Sequence, residues 1–191
     1  MDYKIVDPRI LKINENELKA RLAIPTLESY ELSELYQLLL SEAKPMYVAT
    51  RVNLIRENEG IRIGGVITES RALSKFSERA SGYIAMVATI GVGVDRLILK
   101  TSKISSSDAF IIDAMADALI EALCDYAENE LTKGLVTGGR FSPGYADLEL
   151  SVGYEILSLC NAEKMLGIKV TESGLMTPKK SVNALITVKE V

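Results

Sequence analysis

The run Arg140-Phe141-Ser142-Pro143-Gly144-Tyr145-Ala146-Asp147 puts a guanidinium, two backbone constraints and an aromatic ring into one short stretch. Pro143 fixes its own φ and pushes Ser142 toward an extended conformation, and Gly144 permits positive φ and a close backbone approach. Arg140 and Tyr145 therefore flank a bent, backbone-rich surface. A guanidinium forks onto a carboxylate or phosphate through two parallel charge-assisted bonds, and a tyrosine ring can lie against a planar base or a sulfonium methyl. The pattern suits a small polar ligand. The competing reading is a turn whose arginine makes a structural salt bridge.

A second unusual segment follows, Thr171-Glu172-Ser173-Gly174-Leu175-Met176-Thr177-Pro178-Lys179-Lys180-Ser181-Val182. Ser181 and Thr177 carry hydroxyls that bond either ligand or backbone, and Lys179-Lys180 reads as a solvated pair. Between 112 and 126 the residues Ile112, Met115, Leu119, Ala122 and Tyr126 fall on one helical face, while Asp113, Asp117, Glu121 and Asp125 recur at four-residue steps on another. No lysine or arginine partners that row locally before Lys133. A carboxylate row is either a solvated face or a site for a cationic ligand.

From about Ser105 onward these features resemble the S-adenosylmethionine-binding activation domain of cobalamin-dependent methionine synthase. In that family an Arg-x-(Ser/Ala)-Pro-Gly-Tyr run precedes Thr-Glu-Ser-x-x-Met-x-Pro-x-x-Ser-Val at a similar separation. The segment Ala116-Asp117-Ala118-Leu119-Ile120-Glu121-Ala122-Leu123 is similar to the family's Ala-Asp-Arg-Leu-Ala-Glu-Ala-Phe. The resemblance implies a ligand site of Glu121, Arg140, Ser142, Gly144 and Tyr145, with Arg140 on the methionyl carboxylate, Glu121 on the amino group, and the Ser142 to Tyr145 backbone and ring on the adenosine and the corrin-facing side. It implies S-adenosylmethionine as cofactor, cobalamin held only by a partner protein, and a flavodoxin-like electron donor. The implied function is reductive methylation, that is reactivation, of the corrinoid of a methionine synthase or related methyltransferase in another chain. The alternative is a non-catalytic S-adenosylmethionine-sensing or assembly module. This chain departs from the family at Leu148-Glu149-Leu150, where the family has Pro-Asp-His, and at Ala118, where it has arginine.

Composition narrows the chemistry further. The chain has no histidine, which removes the usual general base, the Ser-His and Cys-His pairs, the commonest zinc ligand and a histidine axial ligand to cobalt. No catalytic side chain and no metal site is expected. Its 22 basic and 26 acidic residues leave a net charge of −4, without the basic footprint of a nucleic-acid binder. No apolar run approaches the roughly 20 residues that span a bilayer, and Met1-Asp2-Tyr3-Lys4 does not open like a secretory signal, so a cytoplasmic protein is expected. Cys124 and Cys160 are too few for a disulfide framework and read as buried structural thiols.

With 191 residues the expectation is a single domain over 1–191, with a possible N-terminal arm over 1–30. Periodicity predicts a helix over Glu31–Ala43 ended by Lys44-Pro45, and a hairpin of Met46–Arg56 with Ile61–Ile67 around Glu57-Asn58-Glu59-Gly60. A helix over Ser70–Arg79 precedes Gly82–Ile90, the most apolar strand and the expected central one. Gly91-Val92-Gly93-Val94-Asp95-Arg96 opens a further helix and is half of a dinucleotide fingerprint whose third glycine is missing. The longest helix starts after Ser105 and ends near Gly134. Gly138-Gly139 marks a tight approach or turn, two short helices break at Asn161, and Ile168–Val170 and Ala184–Val191 are late strands. Hairpins with clustered helices indicate α+β, and the family's curved, mainly antiparallel sheet with helices packed against it agrees.

Overall fold

A computed structural model describes residues 1–23, 30–57, 60–171 and 175–189, with the side chains of 30–32 excepted. In chain order the elements are β1 (Asp2–Ile5), α1 (Glu15–Leu22), α2 (Tyr30–Glu42), β2 (Met46–Asn53), β3 (Ile55–Glu57), β4 (Gly60–Ile63), β5 (Val66–Thr68), α3 (Arg71–Phe76) and β6 (Gly82–Thr89). Then come α4 (Val92–Ser102), α5 (Ser106–Leu131), β7 (Val136–Phe141), α6 (Ser151–Leu159), α7 (Ala162–Leu166), β8 (Lys169–Val170), β9 (Met176–Thr177) and β10 (Ser181–Lys189).

The main sheet has the order β1-β2-β6-β10-β7, with every neighbouring pair antiparallel. Gly82–Thr89 is apolar almost throughout because its strand lies in the middle of a sheet covered on both faces. On one face Tyr47, Ala49, Met86, Ala88 and Ile186 meet Ile112, Met115, Leu119 and Leu123 of α5. On the other, Val48, Tyr83, Ala85, Val87 and Leu185 meet Val152 and Ile156 of α6 and Leu166 of α7. The α+β class is as expected, and among the described residues no helix is long and apolar enough to cross a membrane.

Several boundaries differ from the sequence reading. The expected hairpin divides, since Met46–Asn53 joins the main sheet and only β3, β4 and β5 form a separate three-stranded one. Its turn residues 58–59 lie outside the described residues. Asp2–Ile5, within the expected arm, pairs along β2 as an edge strand. Gly138 and Gly139 lie inside β7 rather than in a turn; a Cβ at Gly138 would meet Thr187 Oγ1 at 2.4 Å, so the close approach is the reason for glycine there. Asn161 does break the two late helices, in the left-handed region at φ 49. Residues 190–191, the expected end of the last strand, lie outside the described residues. Cys124 and Cys160 are buried, and burial pushes both thiols up to about 12.

Candidate functional site

Strand β10 is longer than its neighbour β7. Their register runs from Leu185 opposite Phe141 to Lys189 opposite Val136, so on that side the edge from Ser181 to Ala184 has no strand beside it among the described residues. A cavity of about 280 Å³ opens there. Glu121 of α5 forms one wall, and Gly153, Tyr154 and Leu157 of α6 form the opposite one. Ser142 and Pro143 close it after β7, Val170 and Met176 of the β8–β9 pair close it at the other end, and Ser181, Val182 and Asn183 form its back. The two motifs, far apart in sequence, thus meet at one notch in the sheet.

The loop after β7 holds its shape through short-range bonds. Gly144 N–H donates to Leu148 O at 2.8 Å and Tyr145 N–H to Ser142 O at 3.1 Å, with Gly144 at φ 85. A Cβ on Gly144 would press on Leu150 Cδ2 at 2.8 Å. Asp147 ties the loop to α3, accepting from Ser70 Oγ at 2.6 Å and from the Arg71 and Ala72 amides at 2.9 and 3.2 Å. The Ser70 hydroxyl, with those amides, holds the Asp147 carboxyl below the ordinary carboxylate range. The Tyr145 ring stands edge-on to Phe141 at 5.4 Å between centroids and is 67% exposed.

Arg140 is not waiting empty for a ligand. It leaves β7 toward α5, where its Nη2 lies 3.2 Å from Glu121 Oε2 and 2.9 Å from Asp125 Oδ1, and its Nη1 lies 3.5 Å from Glu128 Oε2. The side chain is 19% exposed, and Nη1 is buried without a hydrogen bond of good geometry. Burial opposes the guanidinium charge, but the acidic groups around it, Cys124, Asp125, Glu128 and Glu121, outweigh that and keep its pKa above the ordinary value. At Glu128 burial prevails instead, lifting its pKa above the ordinary value by more than Arg140 lowers it. The rest of the acidic row is partnered too. Lys180 Nζ reaches Asp113 Oδ1 at 2.8 Å and Asp117 Oδ1 at 2.5 Å, and Arg21 of α1 pairs with Asp117 from the other side.

These pairs correct two expectations. The carboxylate row is not an unpartnered face, because its cations arrive from α1, β7 and the residue just before β10 rather than from its own helix. Lys180 is not solvated: its side chain is 11% exposed and pins the second motif onto α5. Lys179 does remain exposed, its backbone N–H donating to Asp95 Oδ2 at 2.8 Å. The Ser181 hydroxyl is spent on Pro178 O at 2.7 Å and Thr89 Oγ1 at 2.9 Å. Glu172, Ser173 and Gly174 of the second motif lie outside the described residues.

Of the five candidate residues, Glu121 and Ser142 line the cavity, and Arg140 stands behind Glu121 as its ion-pair partner. Gly144 and Tyr145 lie outside its lining. Tyr154 and Asn183 are lining residues that the sequence did not single out, and neither belongs to a pattern that would have marked it. Among the described residues no group of three or more acidic or cysteine side chains is placed to hold a metal ion.

Comparison with known proteins bears on this arrangement. Residues 13–190 match the sequence profile of the vitamin B12-dependent methionine synthase activation domain. The fold is similar to that of a MetH reactivation domain crystallised with AdoHcy, with a TM-score of 0.73 and 19% sequence identity over 97% of this chain and 77% of that one. At that identity the likeness is one of fold. Among curated proteins no sequence matches.

Proposed function

Because the chain belongs to the vitamin B12-dependent methionine synthase activation-domain family, we propose that its sheet-edge cavity binds S-adenosylmethionine and presents it to a corrinoid carried by a partner protein. The observation that carries this reading is the convergence of Glu121 and Ser142 with Met176, Ser181 and Val182 on one cavity. At about 280 Å³, open on one side, the space suits a ligand that leaves one end accessible.

When bound, S-adenosylmethionine supplies a methyl group on a sulfonium, already an excellent leaving group. The partner's corrinoid, once reduced by one electron from a flavodoxin-like donor, would be the acceptor of that methyl, and the ligand would leave as a neutral thioether. No proton moves, which accounts for a site without histidine. What remains for this chain is positioning, worth several kcal/mol of barrier in general. In this reading the Glu121 carboxylate, which lines the cavity, receives the ligand's ammonium. Arg140, behind it, would exchange part of its ion pairing for the ligand carboxylate, a trade between like interactions. Tyr145, exposed beside the cavity, faces whatever docks there.

Calorimetric titration with S-adenosylmethionine tests the reading, together with a spectroscopic assay for conversion of a corrinoid partner from cob(II)alamin to methylcobalamin under a reductant. Binding with ligand-dependent conversion is expected. Absence of binding at millimolar ligand sinks the proposal, and binding without conversion by any corrinoid partner leaves the sensing function in its place.

A further inference from the structure

Asn183 sits in β10 on the face toward α6, at the unpaired part of the strand edge, and lines the cavity. Its Nδ2 donates to Met176 Sδ at 3.4 Å, while its Oδ1 is buried and accepts no hydrogen bond among the described residues. A buried carbonyl oxygen left without a donor carries an uncompensated desolvation cost, which calls for an explanation. The amide lies against Gly153 of α6, where a Cβ would come within 3.3 Å of both Nδ2 and Oδ1. Glycine at that helix position leaves the amide room to turn. A thioether is a weak acceptor, so the one bond that fixes the present orientation is weak, and rotation about the terminal side-chain torsion moves both polar atoms without disturbing the strand.

The surroundings say what such an amide would meet. Tyr154, Leu157, Val170 and Met176 give the cavity an apolar stretch of wall, and Asn183 presents its amide as a polar edge beside it, away from the carboxylate of Glu121 on α5. A carboxamide offers a donor and an acceptor side by side in one plane. Its two-point complement is a flat ring carrying an amino group beside a ring nitrogen, the pairing by which asparagine reads adenine elsewhere. We propose that Asn183 is the specificity-determining residue of the cavity, its Oδ1 accepting the exocyclic N–H of an adenine ring and its Nδ2 donating to the adjacent ring nitrogen. This rests on the reading of the cavity as an adenosyl-ligand site.

The test is a cycle of two proteins and two ligands by calorimetry. The proteins are wild type and Asn183→Ala, with Asn183→Leu, closer in size, as a second variant should alanine in the strand fail to fold. The ligands are S-adenosylhomocysteine and its 6-deamino analogue, which has hydrogen in place of the amino group. Wild type is expected to prefer the adenosyl ligand by about tenfold or more, and the folded variants to lose most of that preference while binding the deamino analogue nearly as before. Equal affinity of wild type for the two ligands, a result that needs no variant, overturns the assignment. So does a preference that survives intact in a folded variant. Failure of wild type to bind either ligand overturns the function proposed for the cavity itself and this assignment with it, so the two failures are told apart.

Discussion

Arg140 is both a candidate ligand contact and the cation that pairs with three carboxylates of α5. Arg140→Ala is expected to lower the stability of the ligand-free protein by about 1 to 2 kcal/mol, since Glu128 is left half-buried without its cation. If the guanidinium also takes the ligand carboxylate, the same change weakens S-adenosylmethionine binding by about 2 to 4 kcal/mol, and Arg140→Lys recovers only part. Thermal melts read the first effect and calorimetry the second; unaltered affinity with lowered stability would make Arg140 purely structural. Glu128 supplies a pH signature. Its folded pKa is raised, so the folded state holds that proton more tightly than the unfolded one, and stability falls as pH rises from the ordinary carboxylate range through the raised value. Glu128→Gln should flatten that part of the profile of denaturation midpoint against pH, and an unchanged slope would assign it to other groups.

At the scale of elements, the loop after β7 owes its place to α3. Asp147 caps the first turn of that short helix from a distant point in the chain, and its folded pKa is lowered, so its contribution is present above the unfolded value and lost as pH falls through the folded one. Asp147→Ala is therefore expected to be less stable than wild type near neutrality, with the gap closing in acid; a gap that persists in acid would mean the capping bonds do not depend on the charge. Gly153→Ala tests the other wall. Alanine favours α6 by about 0.5 to 1 kcal/mol through helix propensity, but its Cβ crowds the Asn183 amide, so ligand affinity should drop while the melting temperature holds or rises. A drop in both would show that Gly153 is needed for packing alone. What was legible in the sequence follows the same division. The Pro143-Gly144 bend, the Ser105-capped helix and the Asn161 break are written in residues a few positions apart. The partners of the acidic row were not, because Arg21, Arg140 and Lys180 are brought to α5 only by the sheet. Strand β7 was hidden by its glycines, and β1 by its short, exposed run. A lone Asn183 in an apolar strand carries no periodic signal at all.

Taken whole, the molecule is a sheet covered on both faces, and its candidate site lies where those two layers fail to meet, beyond the end of β7. α5 brings the charged wall from one layer and α6 the apolar wall from the other, so a ligand in the cavity contacts both layers and the sheet edge together. Ligand binding should accordingly stabilise the entire fold, by about 2.7 kcal/mol at a hundred times the dissociation constant. Tyr145 stands apart from that coupling. It lies outside the cavity lining, rests edge-on against Phe141 and leaves most of its ring to solvent, so it is available to a docked partner without being needed by the ligand. Tyr145→Ala is expected to cost at most about 1 kcal/mol in stability and to leave S-adenosylmethionine affinity within about 1 kcal/mol of wild type. Methylation of the partner's corrinoid should nonetheless slow by about tenfold or more, because alignment between the bound sulfonium and the cobalt is what this surface would contribute. The comparison is made with ligand saturating in both proteins, so that occupancy cannot account for the difference. Parallel loss of affinity and rate would place Tyr145 in the ligand site instead, and an undiminished rate would move the docking surface away from this loop.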